Sequence, residues 1–244
     1  MKAWKLLACT AALALTLCAC AESKPQETQA APKTTQAVPQ TTAAVPQTTA
    51  APAAQSSFDM TAVLAEIDSM QVSDFSVSAE PTDYVKLSVK GYGEIVVRLR
   101  PDVAPISAQN FKDLVARGYY NGTVFHRVYP GFMIQGGAGE EELTPIKGEF
   151  SANGVDNPLL HVRGVLSMAR TKIMDSATSQ FFLMHADYPS LNGQYAAFGY
   201  IVAGLDTVDQ ICEIELGSNP YTGERSTPLT EVLIDSVVFV SPNK

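Results

Sequence analysis

The run FHRVYPGFMIQGG at 125–137 combines a basic side chain with apolar surface, a combination that could do chemistry. Alternation on either side of its central Pro-Gly turn predicts a hairpin, on which Arg127 and Gln135 share a face. A guanidinium carries N–H donors and no acceptor, so beside Phe132 and Met133 it could bind an amide or a carboxylate. Taken alone, the run favours a structural hairpin with a surface arginine over a binding site.

Three downstream segments change that interpretation. They are LSMAR at 166–170, SQFFLM at 179–184 and LNGQYAAFG at 191–199. In this order, and together with the first run, they resemble the cyclophilin family of peptidyl-prolyl isomerases, as does PDVAP at 101–105. The resemblance extends over about 84–240 of the chain, and the FHRVYPGFMIQGG string is its most specific part.

The resemblance implies one substrate site without a metal or cofactor, which acts on proline-containing polypeptides. Arg127 matches the catalytic arginine of the family. The walls of the proline pocket match Phe132, Met133, Phe182 and Leu191, and a further pocket position, often His in the family, matches Tyr195. The polar groups that hold the substrate backbone match Gln135 and Gln180, and the ledge for the extended peptide matches Ala169 and Arg170. His126 is predicted to be structural, because neighbours on a strand point to opposite faces.

Such a site would accelerate rotation about X-Pro bonds. The barrier of about 18–20 kcal/mol comes from amide resonance, which rotation breaks, leaving a lone pair on the prolyl nitrogen. A guanidinium aimed at that nitrogen would stabilise the twisted state more than the planar one. No nucleophile, metal or cofactor is required for this reaction.

The sequence also departs from the family pattern. Ser190 occupies a position where the family often has Trp, and Arg170 replaces a frequent Asn. Because that Trp is a main contact for cyclosporin in the family, we expect weak binding of the drug. The arginine and the apolar pocket positions are retained, so we expect catalysis to be retained as well.

Composition and motifs argue against other classes of function. The formal net charge is −8, from 17 Lys and Arg against 25 Asp and Glu, so we expect no nucleic-acid binding. The chain lacks GxSxG and HExxH motifs, and its histidines have no metal-ligand spacing. Two alternatives to an enzyme stay open: a module that captures Pro-containing segments of a surface partner, and a structural surface protein. Arg127 favours the enzyme, because peptide capture needs only the pocket.

The elements that must position these residues are mostly short strands. Alternation predicts strands at 84–89, 94–99, 124–129, 132–136, 164–168, 180–184, 196–202 and 231–240. Helical spacing predicts helices at 60–70, 105–117 and 205–213. Short strands, Gly-rich turns and two domain helices indicate a mainly β fold, a closed β-barrel capped by two α-helices. The cyclophilin resemblance implies eight antiparallel strands. Cys212, in the last helix, is expected to be a buried, inert thiol.

The N-terminus has the pattern of a bacterial lipoprotein signal. An apolar run at 6–17 follows Lys2 and Lys5 and is shorter than the roughly 20 residues that span a membrane. LCAC at 17–20 resembles a lipobox, which implies a signal peptide at 1–19 and a diacylated Cys20. We therefore expect a lipid-anchored protein at the cell membrane, facing outside the cytoplasm. A plain secretory signal is the alternative.

The segment at 20–57 is predicted to be a disordered tether. Ala, Pro, Thr and Gln dominate it, and the unit AVPQTTA occurs twice in succession. Without large apolar residues it cannot offset its ordering entropy, and as extended polyproline helix it could reach roughly 100 Å. A Pro-rich ligand for a partner is the alternative. A short helical extension at 58–80 and an isomerase domain at 81–244 follow, and we expect a monomer.

Overall fold

Short strands dominate residues 58–243, the part of the chain that the computed structural model describes. The helices are α1 (Met60–Glu66), α2 (Pro105–Ala116) and α3 (Leu205–Cys212). The strands are β1 (Phe75–Val77), β2 (Tyr84–Val89), β3 (Gly93–Leu99), β4 (Phe125–Tyr129), β5 (Met133–Gly136), β6 (Val165–Met168), β7 (Phe181–Met184), β8 (Ala197–Ala203), β9 (Leu216–Ser218), β10 (Arg225–Pro228) and β11 (Ile234–Pro242).

Nine of these strands form one sheet, in the order β1-β11-β2-β3-β8-β6-β7-β5-β4, and all of its pairs are antiparallel. Strand β2 buries every second side chain, as alternation predicts, whereas β6, β7 and β8 are buried along their whole length. The predicted mainly β architecture is confirmed, and each predicted strand is present within a few residues of its expected bounds. Strands β1, β9 and β10 were not predicted. They are three or four residues long and lack the runs of apolar residues found in β5, β6 and β7.

The two helices of the domain, α2 and α3, pack against the sheet. Pro105 occupies the first turn of α2, where a missing N–H costs nothing. Its Phe111 is fully buried and lies 4.9 Å from the ring of Tyr120 and 5.5 Å from that of Phe181, measured between centroids. In α3, burial raises the pKa of the Cys212 thiol to about 12, as expected for an inert side chain.

The N-terminal extension packs on the face of the sheet opposite α2 and α3. Asp59 caps α1 by accepting from the Thr61 N–H at 2.8 Å, and Val63 is buried. The helix ends at Glu66, earlier than the predicted residue 70, because the chain turns there through Asp68 at φ 52°. This turn lets the Asp68 N–H bond to a carbonyl of β8, at 3.2 Å. The extension then pairs with β11 through β1.

Residues 1–57 lie outside the described part, and with them the predicted signal, Cys20 and the tether. Within 58–243, no helix is long and apolar enough to cross a bilayer. In the same range, no group of three or more His, Cys, Asp or Glu side chains is placed to hold a metal ion.

Candidate active site

Three neighbouring strands bring the polar and apolar parts of the site side by side. Arg127 of β4 lies directly opposite Gln135 of β5, which in turn lies opposite Phe182 of β7. The two strands of the predicted hairpin turn at Gly131, whose φ of 80° strongly disfavours other residues. Arg127 and Gln135 therefore share one face, as their spacing predicted.

A groove of about 250 Å³ opens on this face. It is lined by Arg127, Phe132, Met133, Gln135, Ala169, Arg170, Phe182, Leu191 and Tyr195. Of the predicted site residues in the described part, only Gln180 is not in this lining. It lines a side hollow of about 200 Å³ that shares Gln135, Ala169 and Arg170 with the groove. Hollows of about 440 and 660 Å³ beside the N-terminal extension contain none of these residues, so size alone does not identify the site.

The floor of the groove is apolar and rigid. Met133 and Phe182 are 1% and 5% exposed, so these two side chains are held in place by the packing of the sheet. The Phe132 ring packs against Tyr188 at a centroid distance of 4.4 Å. Tyr195 meets Phe182 edge to face at 5.8 Å and closes the opposite side. Such a recess can hold a small apolar ring while leaving its rim open to an extended chain.

Hydrogen bonds connect the polar side chains of the groove with those of the side hollow. The side-chain amide of Gln135 donates to Gln180 Oε1 at 2.9 Å, and the Gln180 carbonyl accepts from the Ala169 N–H at 2.9 Å. These contacts hold both glutamines beside the ledge at Ala169. Each amide side chain retains donors or acceptors for a peptide backbone.

Arg127 is held by a carboxylate that the sequence did not indicate. Its Nε and Nη2 donate to Glu224 Oε1 and Oε2 at 2.7 and 2.8 Å. The same guanidinium lies 5.8 Å from the Phe132 ring centroid. The hydrogen bonds from Arg127 lower the pKa of Glu224, which keeps it ionised. No local pattern marks Glu224, which lies 97 residues further along the chain.

Arg170 holds together the side of the groove that contains Tyr195. Its Nε and Nη2 donate to the Gln194 carbonyl at 3.0 and 2.8 Å, and its Nη1 donates to the Thr171 carbonyl at 2.8 Å. The guanidinium carbon lies 4.6 Å from the ring centroid of Tyr195 and 5.0 Å from that of Phe150. Arg170 therefore fixes the Tyr195 side of the groove. Phe150, which supports it, was missed from sequence.

A neutral histidine, His161, packs against Phe182 behind the groove. His161 Nε2 lies 3.0 Å from the hydroxyl oxygen of Ser167, and Nδ1 lies 3.2 Å from Asn192 Oδ1. The imidazole stacks on Phe182 at a centroid distance of 6.1 Å. Burial lowers the pKa of His161 to about 4, although the hydrogen bond with Asn192 opposes the shift. This histidine is a structural support for the Phe182 wall.

His126 does not line the groove. Its Nδ1 is buried without a hydrogen-bond partner among residues 58–243. Burial first, and then the charge of Arg127, lowers the pKa of His126. The imidazole has no position from which it could act on a ligand in the groove.

Comparisons with known proteins agree on the family. The model of the cyclophilin type peptidyl-prolyl cis-trans isomerase/CLD family matches residues 84–238. The peptidyl-prolyl cis-trans isomerase of Acinetobacter baylyi is 43% identical over 162 residues, which cover 62% of this chain and 82% of that protein. Peptidyl-prolyl cis-trans isomerase B of Escherichia coli is 39% identical over 160 residues, covering 60% and 93%.

Solved structures show the same fold. A cyclophilin type peptidyl-prolyl cis-trans isomerase of Cryptosporidium parvum aligns with a TM-score of 0.56 at 29% identity, covering 66% of this chain and 99% of that one. The chain therefore belongs to the cyclophilin family. It is an enzyme of that family, a peptidyl-prolyl cis-trans isomerase. The family match begins at β2, so residues 58–83, which include the N-terminal extension, lie outside it.

Proposed function

We propose that this isomerase assists the folding of exported proteins outside the cytoplasmic membrane, with Arg127 as its catalytic residue. The observation that carries the residue assignment is the position of the Arg127 guanidinium at the edge of an apolar recess walled by Phe132, Met133 and Phe182. A proline ring seated in the recess would place its nitrogen within reach of that charge.

The chemistry follows from this arrangement. The ring stays in the apolar recess while the preceding carbonyl rotates. As resonance is lost, the lone pair that appears on the prolyl nitrogen accepts from the guanidinium, which therefore stabilises the twisted state more than either planar state. Each 1.36 kcal/mol of this preference gives about a tenfold increase in rate. The site needs no covalent intermediate.

The polar rim is proposed to hold the rest of the substrate. Gln135 and Gln180 would bond to the peptide backbone, and Ala169 and Arg170 would form its ledge beside Tyr195 and Leu191. A related Cryptosporidium parvum structure was determined in the presence of the dipeptide Ala-Pro, which supports a proline-containing ligand for this groove. That structure has a TM-score of 0.55 and 30% identity with this chain.

The cellular setting is proposed from the sequence. The LCAC motif supports a signal peptide at 1–19 and a diacylated Cys20, and two acyl chains anchor a protein stably where one does not. The composition of 20–57 supports a tether that holds a monomeric domain away from the membrane. Clients outside the cytoplasm follow from that location.

We also propose that the sheet closes into a barrel. The strand order runs from β1 to β4, and the Val124–Leu233 bridge joins the segments before β4 and β11. The Phe125 N–H donates to the Val232 carbonyl at 2.9 Å, and the Ile234 N–H donates to the Thr123 carbonyl at 2.8 Å. These bonds support closure of the eight strands other than β1, β9 and β10, within the proposed domain at 81–244.

The residue assignment is tested by an isomerisation assay on X-Pro peptides with the full-length chain. Arg127→Ala should lower kcat by about 100-fold while peptide affinity changes little. Arg117→Ala is the matched control, because Arg117 forms an exposed ion pair with Glu141 outside the groove. Equal rates for wild type and Arg127→Ala would contradict the catalytic assignment. Binding without any acceleration by wild type would instead indicate a peptide-capture module.

The anchor is tested separately by cell fractionation. Cys20→Ala should release the protein from the membrane fraction, and metabolic labelling with a fatty acid should be lost. Cys18→Ala is the matched control, since Cys18 is preceded by bulky Leu17 and is a poor lipidation site. Unchanged membrane retention of Cys20→Ala would refute the lipoprotein proposal without affecting the enzyme.

A further inference from the structure

The carboxylate that holds Arg127 comes from a separate, tightly folded hairpin. The turn between β9 and β10 is closed by a bond from the Asn219 N–H to the Glu224 carbonyl, at 2.7 Å. The Asn219 side chain accepts from the N–H groups of Tyr221 and Thr222 at 2.9 and 3.2 Å. The Gly223 N–H donates to the Asn219 carbonyl at 2.8 Å. Glu224 is therefore presented from a rigid support.

The geometry of the pair decides which donors of Arg127 stay free. Glu224 takes the Nε–H and one Nη2–H in a bidentate arrangement. Both Nη1 donors and the second Nη2 donor remain available, since a guanidinium carries five N–H groups. With Phe132 next to the guanidinium, the plane and the free edge of the group are set before substrate arrives.

We propose that Glu224 is a positioning residue for catalysis, which orients the Arg127 guanidinium toward the prolyl nitrogen. This inference deepens the function proposed above and rests on it. Glu224 is separated from the groove by Arg127 and does not line it, so it acts through the arginine. Its substrate-independent hydrogen bonds preorganise a charge that would otherwise sample many rotamers.

Two opposing effects of the carboxylate can be ranked. Glu224 also offsets part of the positive charge that Arg127 presents, which by itself would slow the reaction. The side chains of Glu224 and Arg127 are 28% and 31% exposed, so the effective dielectric near this pair weakens the influence of the carboxylate on a more distant prolyl nitrogen. The bidentate hydrogen bonds are short and directional and are not weakened in this way. Orientation therefore outweighs neutralisation, and Glu224 promotes catalysis.

The test is steady-state kinetics on the full-length chain with an X-Pro peptide. Glu224→Ala should lower kcat by about tenfold with KM changed less than about twofold. Glu224→Gln, which keeps the shape but only one acceptor, should fall between Glu224→Ala and wild type. Glu141→Ala removes an exposed ion pair with Arg117 outside the groove and should match wild type. Thermal unfolding of each variant reports any loss of folding.

A double-mutant cycle separates positioning from a general structural effect. If Glu224 acts only through Arg127, Glu224→Ala should have no effect on the residual rate in an Arg127→Ala background. The ¹⁵N–¹H signal of Arg127 Nε should be protected from exchange in wild type and lost in Glu224→Ala. A shift of that signal without a fall in kcat would overturn the inference, as would additive losses in the double variant.

Other outcomes are equally decisive. A Glu224→Ala variant faster than wild type would show that the carboxylate restrains Arg127, which overturns the positioning role. If wild type accelerates the reaction and Arg127→Ala does so equally well, the catalytic assignment fails first and Glu224 has no group to position. If Arg127→Ala is slow and Glu224→Ala is normal, only the inference about Glu224 fails.

Discussion

Replacing Arg170 with lysine keeps the positive charge but removes the planar guanidinium, whose N–H donors hold one side of the groove. In the native protein three N–H groups of Arg170 donate to two main-chain carbonyls, those of Gln194 and Thr171. The planar group also lies between the rings of Tyr195 and Phe150. An ammonium can reach one of these carbonyls at a time and cannot stack flat between two rings, so the change is not conservative here.

The cost can be estimated from these contacts. Because the donor is partly exposed, the two lost hydrogen bonds amount to about 1 kcal/mol each, the central value for an ordinary hydrogen bond. Loss of one cation–π contact adds about 0.5 kcal/mol at an exposed site. We therefore expect Arg170→Lys to lower the free energy of unfolding by about 2.5 kcal/mol, which corresponds to roughly 7 °C in Tm for a domain of this size.

The effect on activity should fall on KM. Arg170 positions Tyr195 and Gln194 on one wall of the groove, whereas the rotating bond is proposed to lie beside Arg127. If about 1 kcal/mol is needed to reorder that wall when substrate binds, KM rises about fivefold with kcat within about twofold. Arg117→Lys, at an exposed site outside the groove, is the control and should change neither quantity.

The assay is steady-state isomerisation over a range of X-Pro peptide concentrations, with Tm measured on the same samples. A fall in Tm with KM unchanged would show that Arg170 stabilises the fold without shaping the groove. A fall in kcat with KM unchanged would contradict the reasoning more directly, because it would place Arg170 at the reacting bond.

Three further outcomes are expected. Burial lowers the pKa of His161 to about 4. Between pH 6.5 and about 4 the unfolded chain therefore binds a proton that the folded chain does not, so the free energy of unfolding should fall as the pH drops through this window. The fall is at most about 3.4 kcal/mol, and urea titrations of His161→Asn should show a flatter dependence of stability on pH. Glu66→Ala removes the hydrogen bonds to Arg98 at 2.6 and 2.7 Å, so it should increase amide exchange in α1 and cost about 1 kcal/mol with activity unchanged. Ser190→Trp should raise cyclosporin affinity, measured by fluorescence of the introduced indole; no gain would mean that the position does not correspond to the family's Trp.

The parts of the site that follow strand periodicity and local motif could be predicted from sequence. Arg127 and Gln135 were predicted on one face, and antiparallel pairing places them directly opposite each other. Period-two geometry signals such a face because successive side chains of a strand point to opposite faces of the sheet. The residues that fix the two arginines were not predicted. Glu224 and Phe150 belong to loops without a periodic pattern, and only the folded chain brings them to Arg127 and Arg170.

The difference between the two arginines of the groove lies in how many donors remain free. Three of the five N–H donors of Arg170 bond to main-chain carbonyls, and its guanidinium carbon lies within 5.0 Å of the ring centroids of Tyr195 and Phe150. Two donors of Arg127 bond to the Glu224 carboxylate, and its guanidinium carbon lies 5.8 Å from the Phe132 ring centroid. A group that must meet a lone pair appearing during rotation needs open donors and an accessible face. Because both side chains are arginine in the same groove, charge cannot distinguish them. Their hydrogen-bond partners support the proposal that Arg127 carries the chemistry and that Arg170 belongs to the scaffold.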